Sequence, residues 1–150
     1  YLGAQTRDSL ALDLDDRVPP ATDALSAQRS ARGFAALDVP CVISTDDGSV
    51  GFRGNVVAAM AAYHQSTGAS SSRVVAFTCG PERMMRAVAE YCINKGMNCH
   101  VCMERPMACG TGTCQSCIVT VRDSAASPTR YALCCTEGPV FRADQIVWDD

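Results

Sequence analysis

Cys109, Cys114 and Cys117, followed at a distance by the adjacent Cys134 and Cys135, give the spacing C-x4-C-x2-C with a remote fourth cysteine. This is the plant-type ligand run of a [2Fe-2S] cluster. Its first demand is on the backbone, because three close sulfurs can face one inorganic core only if the chain between them curls around it. The segment permits that: Gly110 and Gly112 stand between Cys109 and Cys114 with no bulky side chain among them. Curling also turns amide N–H groups inward, and a concave N–H surface favours bound negative charge. The spacing leaves either Cys134 or Cys135 as the fourth ligand and points to a chain that carries electrons.

Zinc is the competing occupant. Cys99-x2-Cys102 and Cys114-x2-Cys117 make a paired C-x2-C pattern of the kind found at tetrahedral zinc sites, which would make the chain a zinc-stabilised interaction module without redox work. Cys99 and Cys102 fall in the extended run 98–103, however, where residues three apart point to opposite faces and grip one metal poorly. The iron-sulfur reading needs no such grip. Cys41, Cys79 and Cys92 sit among apolar residues and read as small buried hydrophobes. Ten cysteines would suggest disulfides in a secreted chain, but no charged, apolar, small-residue leader opens this one, so the expectation is a reduced, cytoplasmic setting.

At 150 residues with 47% hydrophobic content the chain can bury a core and is expected to be soluble and globular. The apolar stretches at 56–63 and 74–77 fall well short of the roughly 20 residues a membrane span needs. A net charge of −3 with scattered Lys and Arg lacks the basic stripe of a nucleic-acid binder. No membrane and no nucleic acid are therefore expected as partners.

Tyr1-Leu2-Gly3-Ala4 reads as a strand already under way, which suggests a fragment. Residues 13–32 are rich in Ala, Ser, Asp, Arg and Pro and are expected to form a loop that buries little surface. A short apolar strand follows at 39–43, ending in the turn 44–49. Next comes a helix around 56–63 broken at Thr67-Gly68, and then a buried strand over 73–78 from its β-branched run. Cys79-Gly80-Pro81 leads directly into a helix lined by Met84, Met85, Val88, Ala89 and Cys92 and closed at Gly96. One more strand at 98–103 completes strand-helix-strand-helix-strand, the signature of an α/β parallel sheet with crossover helices. From Glu104 onward the composition changes to Gly, Cys and short strands, so a second, smaller unit is expected over 104–150.

Cys79, Gly80 and Pro81 stand at the C-terminal end of a predicted parallel strand, the edge at which open α/β sheets bind ligands. Glycine there allows close approach, and the helix start offers unpaired N–H groups; a plain connector would look the same. Asp46 and Asp47 also end a strand and could accept from ribose hydroxyls, though a solvated turn is the simpler reading. His64 and His100 lack fixed-spacing partners. No Ser-His-Asp, G-x-S-x-G or G-x-x-x-x-G-K-[ST] pattern supports a hydrolase or a P-loop protein.

Four motifs, in order, are Thr45-Asp46-Asp47-Gly48-Ser49-Val50-Gly51, Cys79-Gly80-Pro81-Glu82-Arg83-Met84-Met85, Met107-Ala108-Cys109-Gly110-Thr111-Gly112-Thr113-Cys114 and Cys135-Thr136-Glu137-Gly138-Pro139-Val140-Phe141. Together they resemble the electron-transfer subunits of NAD-dependent dihydroorotate dehydrogenases, a ferredoxin reductase-like family. The resemblance implies an incomplete NAD-binding domain over 1–103, with an insertion at 13–32, and a [2Fe-2S] domain over 104–150. The FAD-binding barrel and the pyrophosphate-binding turn would lie upstream of Tyr1, so this chain alone is not expected to be catalytic. The resemblance further implies that Cys79, Gly80 and Pro81 approach the nicotinamide, and that Cys109, Cys114, Cys117 and Cys135 hold the cluster, the family's fourth cysteine standing three residues before Gly-Pro. The implied partner is the FMN-containing catalytic subunit of dihydroorotate oxidation, in pyrimidine biosynthesis. Reductase subunits of hydrogenases and ferredoxin:NAD(P) oxidoreductases share the layout and remain the alternative. The family's basic residue directly before Met-Ala-Cys-Gly is replaced here by Pro106, with Arg105 one place earlier.

Overall fold

A computed structural model describes residues 1–123 and 128–148. The chain divides into two compact units, Tyr1–Ala69 and Ser70–Asp150. Among the described residues no helix is long and apolar enough to cross a membrane.

The first unit is a three-stranded parallel sheet in the order β1 (Leu2–Ala4), β2 (Ile43–Thr45), β3 (Phe52–Arg53). The central strand is buried throughout, and the two sides of the chain at its start pack separately: Ile43 with Ala31, Cys41 and Leu2, and Val42, just before the strand, with Ala24 and Ala59. A single turn, α1 (Arg32–Ala35), precedes β2, and α2 (Val56–Thr67) lies against β1 and β2. Asn55 starts α2 by accepting from the Ala58 amide at 2.9 Å, and Gly68 ends it at φ 60°.

Residues 13–32 form the expected irregular, largely exposed segment. Ala24 and Ser30 are nonetheless fully buried, and bridges Leu14↔Ala31 and Gln28↔Cys41 tie the segment down. Small side chains are the reason. Ala and Ser let the backbone lie close to its neighbours, so main-chain bonds such as Gln28 N to Cys41 O at 2.8 Å supply what large apolar groups do not.

The second unit joins a parallel pair to an antiparallel edge. β4 (Val75–Cys79) runs parallel to β5 (Asn98–Cys102), with α3 (Glu82–Asn94) as the crossover, and β8 (Val140–Arg142) pairs antiparallel with β5. β6 (Ile118–Arg122) and β7 (Thr129–Leu133) form a separate antiparallel pair. α3 buries Met85, Val88, Ala89 and Cys92 as its spacing predicts, and ends at Gly96 with φ 68°. β4 is a strand, but it is not buried. Val75 is 52% and Phe77 73% exposed, because β4 is an edge strand covered on one face only, where Ala76 and Thr78 lie. The β-branched run specifies extended backbone and cannot report how many faces are covered.

Candidate metal centre

The loop from Met103 to Cys117 is held at both ends. Met103 is buried and its amide donates to Pro139 O at 2.9 Å. Arg105 reaches the first turn of α3, donating to Glu82 Oε2 at 2.8 Å, and also donates to Ile118 O at 3.3 Å. A basic residue one place before Pro106 thus serves as the loop's anchor. Beyond it the chain turns through Gly110 at φ 69°, Gly112 at φ 87° and Gln115 at φ 57°. The two glycines take up a left-handed conformation that most residues resist.

This curl aims amides at sulfur. Cys109 Sγ accepts from the amides of Thr111 and Cys114, both at 3.4 Å, and Cys117 Sγ accepts from the amide of Cys135 at 3.4 Å. The Cys114 amide, helped by Thr111, pulls the Cys109 thiol down to about 5, so its thiolate is favoured before any metal arrives. Cys114 is likewise lowered, first by the Ser116 hydroxyl at 3.2 Å. Cys135 is raised, chiefly by sharing a hydrogen bond with the neighbouring Cys117 thiol. Cys109 thus interacts most directly with Cys114, and Cys135 with Cys117, while Cys135 also feels the charge of Cys109. Among the described residues no three His, Cys, Asp or Glu side chains converge on a position for a single ion.

Cys134 and Cys135 face opposite ways. The alternation of β7 runs on past its end, with Ala132 and Cys134 both fully buried and Leu133 and Cys135 partly exposed. The Cys134 amide donates to Cys117 O at 3.0 Å, while its thiol is raised by burial. Cys135 is the one whose sulfur and amide both meet Cys117.

Cys79, Gly80 and Pro81 lie at the C-terminal end of β4, with Gly80 at φ 139° and Pro81 capping α3. The reading of Cys79 as a buried hydrophobe is overturned: its residue is exposed, because it belongs to the uncovered face of β4. Its thiol, raised by partial desolvation and then by Cys102, donates to Glu104 Oε1 at 3.7 Å. The closeness of Cys102 was missed in the sequence, although the predicted parallel register of the two strands carried it. Cys99 turns to the other face of β5 and meets Cys92, so Cys99 and Cys102 do not form one metal grip. Asp47 is engaged by its own turn, accepting from the Ser49 amide at 2.9 Å and hydroxyl at 2.6 Å.

The donor set of four thiols, two of them lowered from the ordinary thiol value and two accepting from backbone amides, fits a cationic iron-sulfur core. Comparison with known proteins agrees. Residues 104–147 match the family model described as the iron-sulfur cluster binding domain of dihydroorotate dehydrogenase B. The chain is 33% identical over 116 residues to the dihydroorotate dehydrogenase B (NAD(+)) electron transfer subunit of Desulforamulus reducens, covering 77% of this chain and 42% of that protein. Against the same subunit of Bacillus caldolyticus it is 37% identical over 105 residues, covering 70% of this chain and 37% of the relative. The chain therefore spans about two fifths of the length of these relatives. In fold it is similar to a solved NADH-dependent reduced ferredoxin-NADP oxidoreductase, with TM-score 0.66 and 24% identity over 98% of this chain and 43% of that one.

Proposed function

We propose that this chain, a homologue of dihydroorotate dehydrogenase B electron transfer subunits with an iron-sulfur binding domain at its C-terminal end, carries a [2Fe-2S] cluster on Cys109, Cys114, Cys117 and Cys135. The observation that supports the reading is the curled loop that turns backbone amides onto the sulfurs of Cys109 and Cys117, with Cys114 beside the first and Cys135 beside the second. One tetrahedral ion would need all four sulfurs about 2.3 Å from a single centre. Cys109 with Cys114, and Cys117 with Cys135, would hold a two-iron core if one is bound, and it would supply one-electron chemistry.

Bound there, such a cluster accepts and donates single electrons. The chain's own residues set how readily it does so. The amides of Thr111, Cys114 and Cys135 offset negative charge on the sulfurs and so favour the reduced state. Exposure of Cys109 and Cys114 leaves that side open to a partner, while Cys117 is buried against the β6 strand start. In the whole protein we assign 1–103 to an incomplete NAD-binding domain and 104–150 to the cluster domain, with Cys79, Gly80 and Pro81 beside the nicotinamide. Electrons would then pass between an FAD held by segments outside this chain and the FMN of a dihydroorotate-oxidising catalytic subunit, in the cytoplasm.

The test is the visible absorption and low-temperature EPR spectrum of the anaerobically purified chain, with iron and acid-labile sulfide counted. Two irons and two sulfides per chain, with an EPR signal appearing on dithionite reduction, are expected. A colourless protein holding one zinc would sink the proposal and leave a zinc-stabilised interaction module in its place.

A further inference from the structure

Ten cysteines are more than cluster ligation uses. Four are the ligands proposed above. Four more are packed away, with exposures of 6% for Cys41, 0% for Cys92, 7% for Cys99 and 0% for Cys134. The remaining two, Cys79 and Cys102, are exposed and partly exposed respectively, and the sheet sets them side by side. Cys79 ends β4, Cys102 ends β5, and the two are register partners in a parallel pair. Both side chains leave on the face turned away from α3, which also presents Phe77 and His100, stacked with ring centroids 5.2 Å apart.

Adjacent strands lie about 4.7–4.9 Å apart. A disulfide spans Cα separations of roughly 4.4–6.8 Å, so this pair falls within the window and near its short end. The two thiols already interact, and both border a cavity of about 140 Å³ lined also by Phe77, Thr78, His100 and Val140. Cys79 is exposed and Cys102 partly exposed at that cavity.

We propose that Cys79 and Cys102 form a redox-active dithiol that closes reversibly to a disulfide by exchange with a low-molecular-weight disulfide. Cys79, the more exposed, attacks first: its thiolate forms a mixed disulfide with one sulfur of the small molecule and releases the other as a thiolate. Cys102, as its thiolate, then attacks Cys79 Sγ, forming the Cys79–Cys102 bond and expelling the second small thiolate. The cysteines lose two electrons and two protons in all, and the small disulfide takes up both and leaves as two thiols. Closure fastens the ends of β4 and β5 at the turn Gly80-Pro81. Resting on the nicotinamide assignment made above, this would couple that site to the thiol redox state.

The test uses the full 150-residue chain, purified anaerobically with iron bound, exposed to oxidised glutathione, alkylated with iodoacetamide and mapped by mass spectrometry. The expected product is a Cys79–Cys102 link, with fragment ions assigning Cys102 and not Cys99, reversed by dithiothreitol and formed without loss of iron or sulfide. Cys102→Ser should instead stop at a lasting glutathione adduct on Cys79. A lasting adduct on Cys79 in the unsubstituted chain, or alkylation of both thiols after exposure, would overturn the proposal. A Cys79–Cys102 link whose rate of formation is unchanged by added NAD would uphold the dithiol while rejecting the nicotinamide assignment, so the two failures are distinguishable.

Discussion

Replacing Cys134 and Cys135 by alanine, one at a time, sets packing against ligation at two neighbouring positions. Cys134 is fully buried behind Ala132, and its amide bond to Cys117 O does not depend on the side chain. Cys134→Ala removes one sulfur from a close-packed interior. The lost transfer energy of a methylene-sized group is about 0.8 kcal/mol, and a small unrelaxed cavity raises the total to about 1–2 kcal/mol. For a unit of this size that lowers the melting temperature by several degrees, on the order of 4–8 °C per kcal/mol. The reduced-cluster EPR signal should survive with its spin count nearly intact.

Cys135→Ala does the opposite. Its side chain is partly exposed and meets the Cys117 sulfur, so little packing is lost, but one of the four proposed ligands disappears. The EPR signal should fall below about a tenth of the unsubstituted value, by the order-of-magnitude cost of losing one strong ligand. Spin quantitation after dithionite reduction, read beside iron per chain, decides between them. Loss of signal in Cys134→Ala with retention in Cys135→Ala would refute the reasoning from strand alternation, and retention in both would refute the four-cysteine ligand set.

Removing iron with a chelator should speed amide exchange in residues 107–120 and leave 75–79 unchanged, because the loop relies on metal ligation where β4 relies on its ladder to β5; hydrogen exchange with mass spectrometry checks this, and equal protection with and without iron would count against it. Gly51→Ala should destabilise the first unit by more than about 2 kcal/mol, since a Cβ there would collide with the Ile43 carbonyl oxygen at a backbone φ of 69°; denaturant melts measure it. Asp144, lowered by its hydrogen bond to Arg142, contributes stability that is fully present above its ordinary pKa of 3.8 and is lost as pH falls through the lower folded value. Both side chains are half exposed, so Asp144→Asn should cost only a few tenths of a kcal/mol, seen as a shallower acid limb in stability against pH.

Local signals were legible where one element specifies its own form. The helix from Glu82 announced its buried face through Met85, Val88, Ala89 and Cys92, and the alternation at 132–135 separated two adjacent cysteines. What the sequence hid was whatever depends on a second element. The exposure of Val75 and Phe77 follows from what does not cover β4, and residue type carries no trace of that. Residues 13–32 are largely exposed, as their composition implies, and only the few buried points, Ala24, Ser30 and Ala31, where backbones pack closely, went unseen because hydrophobic content does not report them. Cys109 as a candidate ligand was visible from spacing, but the pairing of its sulfur with the amides of Thr111 and Cys114 required the turn angles at Gly110 and Gly112.

The antiparallel pairing of β8 with β5 bears on how such chains can be recombined. Val101 lies opposite Phe141, so the cysteine-bearing stretch leaves the sheet after β5 and returns to the same strand's free edge. It is a closed excursion and not a tail. From there the chain goes on to bridge Val121 with Ile146, closing a second loop. A cut after Met103 would therefore strip the parallel pair of its outer strand and expose the ladder groups of β5 to other chains. Exchanging the cluster segment between proteins as a cassette would succeed only if the donor's returning strand matched the recipient's edge in register, which ties the inheritance of an electron carrier to the geometry of the sheet it leaves.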